Sequence, residues 1–219
     1  MTKKFKNWEE LVNDGEQYKD TQGDLTPKQK IIYESVKDRN VLKIQDAFLF
    51  LKAAEVTREH GIELAELIAG FELLKNIHTL IITHNNLGPE GVKILAGSTF
   101  LPKIEYLHLG SNNLGDEGAE IIAASDLFSE VKTLNLEQNG ITARGAKALA
   151  ASPVLTRLTS LNLVDNRVGD EGALAIADSD TLAQLTYLHL GGNRVKSDDA
   201  KRALRESQKL TQLEKLKVF

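Results

Sequence analysis

The sequence of 219 residues contains no cysteine, four prolines and only 5% aromatic residues. Without cysteine, disulfide bonds are excluded, which is typical of an intracellular protein. No apolar run approaches the roughly 20 residues that a membrane-spanning helix needs. The basic N-terminal segment, residues 1–10, lacks the apolar stretch of a secretory signal peptide. We therefore expect a soluble protein that does not bind a membrane.

An excess of one charge sign is also missing. The 27 Lys and Arg residues and the 31 Asp and Glu residues are dispersed and give a net charge of −4. Nucleic-acid binding needs a basic stripe that neutralises phosphates, so the sequence predicts no nucleic-acid partner. The G-x-S-x-G and H-E-x-x-H motifs and a cysteine nucleophile are absent as well. We expect neither enzymatic activity nor a cofactor.

What the sequence does contain is a repeat. Leucine and glycine positions recur every 27 residues. The same separation relates five asparagines, which are Asn85, Asn112, Asn139, Asn166 and Asn193. One unit reads Leu101-x-x-Ile104-x-x-Leu107-x-Leu109-x-x-Asn112-x-Leu114. Such strict spacing predicts a stack of structurally equivalent units, in which the asparagines form one structural ladder.

Each residue type in the unit has a physical role. Leu107 and Leu109 alternate, so on a strand both would be buried on one side. Asn112 follows the strand, where its amide can bond backbone groups left unpaired by the bend, and losing it should cost about 1–3 kcal/mol. The apolar positions that begin at Ala119 and continue with Ile122 have the spacing of an amphipathic helix. One unit is therefore expected to be a strand, a loop and a helix.

This pattern resembles the ribonuclease-inhibitor-like subfamily of leucine-rich repeats over about residues 74–219. The resemblance implies an α/β solenoid, a right-handed horseshoe with a parallel sheet on the concave side and helices on the convex side. Nearly all known activities of that family are recognition of other proteins. The resemblance thus implies a non-catalytic scaffold whose concave face binds a partner protein.

The ends of the chain depart from the repeat, and four segments are expected. Residues 1–46 form an N-terminal helical cap or a partly flexible head, with a helix beginning at Pro27. Residues 47–73 form a degenerate capping repeat with Leu49 and Leu51 in its strand, residues 74–209 five 27-residue repeats, and residues 210–219 a terminal strand. Polar end repeats of this kind cover the open core of a solenoid.

Residues that flank the buried leucines should point outward on the concave face, in three rows across the strands. The first row contains Phe48, Thr79, Tyr106, Thr133, Ser160, Tyr187 and Lys215. The second row contains Phe50, Ile81, His108, Asn135, Asn162, His189 and Lys217. The third row contains Lys52, Thr83, Gly110, Glu137, Val164, Gly191 and Phe219.

The middle of these rows is nearly uncharged and carries Tyr, His and Asn, which suits protein contacts because aromatic anchors dominate interface energetics. The candidate partner-binding residues are Tyr106, His108, Asn135, Glu137, Asn162, Val164, Tyr187 and His189. The segments Tyr106–Gly110 and Tyr187–Gly191 are identical. Two interpretations remain open at this point: a binding role, or the copying of tolerated residues by repeat duplication.

A metal site is not expected. His108 and His189 lie three strand spacings apart, or about 14 Å, whereas joint ligation needs both nitrogens about 2 Å from the ion.

Acidic pairs at the predicted helix starts, Asp116/Glu117, Asp170/Glu171 and Asp198/Asp199, have two interpretations. They complement helix dipoles and add solubility, or they form a ridge for a basic partner.

Resemblance also suggests an alternative function and a biological setting. Ran GTPase-activating proteins have a fold of this kind, and activation commonly uses a supplied arginine. Arg144, Arg167 and Arg194 lie in repeat loops, but the acidic tail of that family is missing.

Lys/Asn-rich, cysteine-free repeat proteins of this size resemble those of intracellular bacteria, including effectors. We therefore expect a cytoplasmic protein, or one secreted into a host cell. Lys215 and Lys217 on the last strand discourage edge pairing, so a monomer is expected.

Overall fold

The computed structural model describes residues 57–70 and 74–218, together with the backbone of a strand at 41–45. Seven strands form one parallel sheet in chain order. These are β1 (Val41–Gln45), β2 (Thr79–Thr83), β3 (Tyr106–His108), β4 (Thr133–Asn135), β5 (Ser160–Asn162), β6 (Tyr187–His189) and β7 (Lys215–Lys217). The described helices are α1 (Arg58–Ala69), α2 (Gly88–Ala96), α3 (Gly115–Ala124), α4 (Ala143–Ala150), α5 (Gly169–Ala177) and α6 (Asp198–Arg205). A short 3-10 helix, Asp126–Phe128, follows α3.

Strands and helices alternate along the chain, and each element packs against its counterpart in the next repeat. The register places Leu107 beside Leu80 on one side and beside Leu134 on the other. In the last pair Leu188 lies beside Leu216, one residue further along the chain than the regular repeat requires. The predicted α/β solenoid is therefore confirmed for the described residues.

The core lies between the sheet and the helices and is filled by the periodic apolar residues. Leu107 in β3, Leu109 just after it and Ile122 in α3 are 0% exposed. Burial of one such side chain contributes about 1.5–3 kcal/mol relative to exposure. Because a small residue such as Ala119 faces the same core, each helix can lie close to its strand. The sheet surface that faces away from the helices is the concave face.

The first strand differs from the sequence expectation. Leu49 and Leu51 were predicted to occupy it, but the strand that pairs with β2 is Val41–Gln45, with Leu42 beside Leu80 and Ile44 beside Ile82. Leu42 and Ile44 show the same apolar alternation as Leu49 and Leu51, and only the pairing with β2 distinguishes the two segments. The first-row and second-row places predicted for Phe48 and Phe50 are thus taken by Val41 and Lys43.

Several predictions for the N-terminal part lie outside the described residues. These are the helix beginning at Pro27 and the segment 46–56, which includes Phe48, Phe50 and Lys52. The helix expected for the capping repeat is α1, in which Leu64, Ala65 and Ile68 are buried. The domain boundaries at residues 46 and 73 stay predictions.

Candidate functional site on the concave face

The candidate residues form rows because the strands share one register. Tyr106 lies beside Thr133, which is followed across the sheet by Ser160 and Tyr187. The second row runs from His108 through Asn135 and Asn162 to His189 in the same way. In each strand these residues flank a buried leucine and are themselves half-buried. Glu137 and Val164 continue the same alternation into the third row and are also half-buried.

Glu137 is the centre of a polar cluster. Its Oε2 accepts hydrogen bonds from Asn162 Nδ2 at 2.9 Å and from Asn135 Nδ2 at 3.4 Å. Its Oε1 lies 3.5 Å from His108 Nε2, and 35% of the Glu137 side chain is exposed. Asn135 Oδ1 in turn accepts the backbone N–H of Glu137 at 3.0 Å. The carboxylate is therefore held in one orientation and still reaches solvent.

A glycine makes room for this cluster. A Cβ atom at Gly110 would lie 2.9 Å from His108 Nε2 and 3.0 Å from Glu137 Cγ. Both distances are shorter than ordinary van der Waals contact, so a side chain at this position would displace the two groups. Sequence reasoning placed Gly110 in the third row without assigning it this role.

Tyr187 is held by contacts of a different kind. Its hydroxyl lies 3.3 Å from His189 Nδ1, and the two rings meet edge to face with centroids 6.2 Å apart. The ammonium of Lys215 lies 5.7 Å from the Tyr187 ring centroid, within cation–π range. Burial lowers the pKa of His189, and so do Lys217 and Lys215, while Glu137 and Asp165 act in the opposite direction. The lowered pKa favours the neutral imidazole, whose Nδ1 can accept a hydrogen bond from the tyrosine hydroxyl.

The two identical segments therefore have different surroundings. His108 faces the carboxylate of Glu137 from the next strand, whereas His189 contacts Tyr187 of its own strand. The residue beside His189 on the next strand is Lys217, a cation, whereas the residue beside His108 is the neutral Asn135. Identity of sequence does not make the two histidines chemically equivalent.

Beneath the concave face the five asparagines form a buried row. Asn112 Oδ1 accepts the backbone N–H of Asn85 at 3.0 Å, and Asn139 Oδ1 accepts that of Asn112 at 2.9 Å. Asn166 Oδ1 continues the series by accepting the backbone N–H of Asn139 at 3.0 Å. Asn193 ends it by accepting from Val168 N and donating to Leu163 O. The amides of Asn112, Asn139, Asn166 and Asn193 thus link the loop of one repeat to the backbone of the repeat before it.

A second ladder joins the ends of the helices, and sequence reasoning missed it. Ser98 Oγ donates to the backbone oxygen of Ala69, at the end of α1, at 2.6 Å and accepts from Leu101 N at 3.0 Å. The same pair of contacts is made by Ser152, Ser179 and Ser207. The 27-residue spacing of Ser98, Ser125, Ser152 and Ser179 was the signal that could have revealed this ladder.

Two acidic residues of the predicted ridge are engaged within the protein. Asp116 Oδ1 accepts from the backbone of Thr142 at 2.7 Å and of Gly145 at 2.9 Å, and its Oδ2 accepts from Thr142 Oγ1 at 2.7 Å. Asp170 Oδ1 accepts from the backbone of Lys196 at 2.8 Å and of Ser197 at 3.0 Å. Both carboxylates therefore bind the loop that begins the next helix, in addition to complementing the dipole of their own.

This clamp predicts a pH-dependent contribution to stability. Burial raises the pKa of Asp116, but hydrogen bonds from Thr142 and Gly145 and the nearby Arg144 outweigh it and leave the pKa below its usual 3.8. Asp116→Asn should lower the free energy of unfolding by about 2 kcal/mol at pH 7, the range of hydrogen bonds to charged groups. Because the folded pKa is depressed, this contribution is complete above pH of about 4 and is lost as the pH falls through the folded pKa.

Urea unfolding of both proteins at pH 7 and at about pH 3 measures the effect. The exposed Glu117→Gln, on the same helix, is the matched control and should change stability by less than about 0.5 kcal/mol. An equal loss for Asp116→Asn at both pH values would show that ionisation of Asp116 is not the source.

The arginines considered for GTPase activation lie away from the concave cluster. Arg144 Nε lies 3.1 Å from Glu120 Oε1 and 3.6 Å from Asp116 Oδ2, so it contributes to the surface of α3 and α4. Arg167 and Arg194 are exposed in their loops.

In the part of the chain that the structure describes, no group of three or more His, Asp or Glu side chains could hold a metal ion. None of the helices described is long and apolar enough to span a bilayer.

Comparison with known families agrees with this geometry. A family model described as a leucine-rich repeat matches residues 74–96, 100–123, 131–150 and 154–177. These four segments are leucine-rich repeats. The four matched segments contain β2 to α5, and the repeat of β6 and α6 continues the same register in the leucine-rich repeat sheet. No curated protein matches the chain. Leucine-rich repeats generally serve as non-catalytic surfaces that bind other proteins.

Proposed function

We propose that the concave face of the leucine-rich repeats binds a partner protein, with Tyr106 and Tyr187 as its aromatic anchors. The observation that carries this proposal is the network of contacts on that face, in which Glu137 and Tyr187 are held by neighbouring side chains while remaining half-buried. Side chains that are ordered before binding lose less entropy on association. The proposal therefore rests on a prearranged polar surface that carries two large aromatic groups.

The two tyrosines lie in one row at a separation of three strands, about 14 Å. Thr133 and Ser160 lie between them, so small hydroxyl side chains fill the space between two large anchors. A partner that seats one group against each ring would cover the polar cluster around Glu137 as well. Central aromatic anchors of this kind contribute about 2 kcal/mol or more each.

The double variant Tyr106→Ala/Tyr187→Ala tests the proposal. We expect affinity for a partner captured from cell extract to fall by about 100-fold or more, since two central anchors are lost. Titration calorimetry measures the affinity, and the melting temperature should stay within a few degrees because both rings are half-buried.

The matched control is Phe100→Ala/Leu174→Ala, which removes two exposed apolar side chains, 39% and 44% exposed, from other surfaces. It should leave the affinity unchanged. If the tyrosine variant binds as tightly as the original protein, the concave face is not the binding surface.

We further propose that the protein belongs to the ribonuclease-inhibitor-like subfamily and acts as a monomer, either in a bacterial cytoplasm or as an effector inside a host cell. The helix in every described repeat from β2 to β6 and the cysteine-free composition support this setting. A reporter fusion expressed in bacteria that infect cultured cells measures delivery directly. Reporter signal in the host cytosol supports the effector role, and its absence supports the bacterial one.

A further inference from the structure

Charge is distributed unevenly over the concave face. Glu137 lies in the third row after β4, and the exposed Asp165 follows the third-row residue Val164 of the next repeat. Lys215 and Lys217 lie at the other end of the sheet, on β7. The strands between them carry uncharged Asn162, Ser160 and Tyr187, together with His189, whose pKa is lowered by burial. The described concave face thus has an acidic group and a basic group separated by neutral side chains.

Their separation follows from the register. Lys217 shares the second row with Asn135, three strands away, and Glu137 lies two residues beyond Asn135. Three spacings of about 4.8 Å across the sheet and one step of about 6.6 Å along a strand give a distance of about 16 Å. This exceeds the Debye length of about 8 Å at physiological salt. The acidic and basic groups therefore do not neutralise each other, and each can attract a partner charge of its own.

Local contacts orient Glu137 and Lys215. The groups that donate to Glu137 Oε2 are the neutral amides of Asn135 and Asn162. Lys215 is positioned over the Tyr187 ring, which carries no net charge. His189 lies between the two groups in the second row, beside Asn162 on one side and Lys217 on the other. The Glu137 carboxylate and the Lys215 ammonium are thus oriented by neighbouring side chains.

From this arrangement we infer, resting on the proposed function, that the partner is an extended protein segment carrying a Lys or Arg opposite Glu137 and Asp165 and an Asp or Glu opposite Lys215 and Lys217. At about 3.3 Å per residue, the two charged residues of such a segment lie about five positions apart. An extended chain leaves backbone groups to be hydrogen-bonded, and the side-chain amide of Asn162, which lies between Glu137 and Lys217 in the second row, can both donate and accept.

Selection from a phage-displayed library of random 12-residue peptides tests the inference on the full chain. Peptides that bind the protein but not Tyr106→Ala/Tyr187→Ala are kept and sequenced. We expect them to be enriched in a basic and an acidic residue about five positions apart. Recovery of no such peptide, or of peptides without this charge pair, would overturn the inference.

Charge reversal then shows which charged residues of the protein and of the peptide contact each other. Lys217→Glu should weaken the selected peptide at least 10-fold, and replacing the acidic residue of the peptide by Lys should restore the affinity. Glu137→Lys should weaken binding as well, and replacing the basic residue of the peptide by an acidic one should restore the affinity. Lys93→Glu, on α2 and away from the concave face, is the matched control and should change nothing. If Glu137→Lys fails to fold, Lys217→Glu on β7 and its rescue by the reversed peptide test the inference alone.

The outcomes separate this inference from the proposed function. Tyrosine-dependent binding without rescue by charge reversal would contradict the charge pair and leave the concave face as the binding surface. A binder of known sequence that is insensitive to the tyrosine variant would contradict both.

Discussion

Asn139→Ala is expected to lower the free energy of unfolding by about 4 kcal/mol, because two or more buried backbone groups lose a partner at about 1–3 kcal/mol each. Asn139 Oδ1 accepts from Asn112 N at 2.9 Å and from Leu114 N at 3.3 Å. Its Nδ2 donates to Leu109 O at 2.9 Å and to Leu136 O at 3.0 Å. Alanine reaches none of these groups, and water has little access to a residue that is 2% exposed.

For a chain of this size the loss corresponds to a fall in melting temperature of about 8–16 °C, which calorimetry measures. Gln138→Ala is the matched control, since Gln138 is the neighbouring residue in the same loop but is exposed. The backbone φ of residue 138 is +53°, a conformation that strains alanine and glutamine alike. The control therefore loses only the surface contacts of Gln138 to Ser111 and Asp165. Equal effects of the two changes would show that the buried amide is not responsible.

Gly61→Ala is expected to have the second large effect, a loss of more than about 2 kcal/mol from overpacking against rigid backbone. A Cβ atom at Gly61 would overlap the backbone oxygen of Asn86 and lie 2.7 Å from that of Asn85. These atoms belong to the loop after β2, so α1 could not keep its contact with the first full repeat. Backbone atoms cannot rotate away as a flexible side chain can.

Because repeat proteins are stabilised by contacts between neighbours, the damage should be local. Hydrogen exchange should show lost protection in α1 and retained protection in β4 to β6. Gly97→Ala is the matched control, since a Cβ there would meet its nearest atoms at 3.5 Å and 3.7 Å, ordinary contact distances. Protection of α1 that survives Gly61→Ala would contradict the close packing of α1 on this loop.

Much of the fold could be predicted because each repeat contacts its neighbours and little else. Apolar alternation at Leu107 and Leu109 indicates a strand whatever its partner is, and the spacing after Gly118 indicates a helix in the same way. The first strand was misplaced because Leu49 and Leu51 show the same alternation as Leu42 and Ile44. Only the pairing with β2 distinguishes the two segments.

The candidate site was less predictable. Its rows follow from the strand register, but the contacts within them depend on side chains from neighbouring repeats. His108 meets Glu137 because Gly110 leaves space, and nothing in the segment Tyr106–Gly110 distinguishes it from the identical Tyr187–Gly191. Asp116 was interpreted as a surface charge on a helix start, yet it binds the loop of the following repeat.

By itself the sequence determined the period, the order of strand, loop and helix, and the row in which each outward residue of β2 to β7 lies. These properties depend on the spacing of apolar residues along the chain. The tertiary structure alone decided which charges are clamped, which histidine faces a carboxylate and where the sheet begins. Those outcomes depend on the distances between atoms of different repeats, and a pattern that is identical in each repeat carries no information about its particular neighbours.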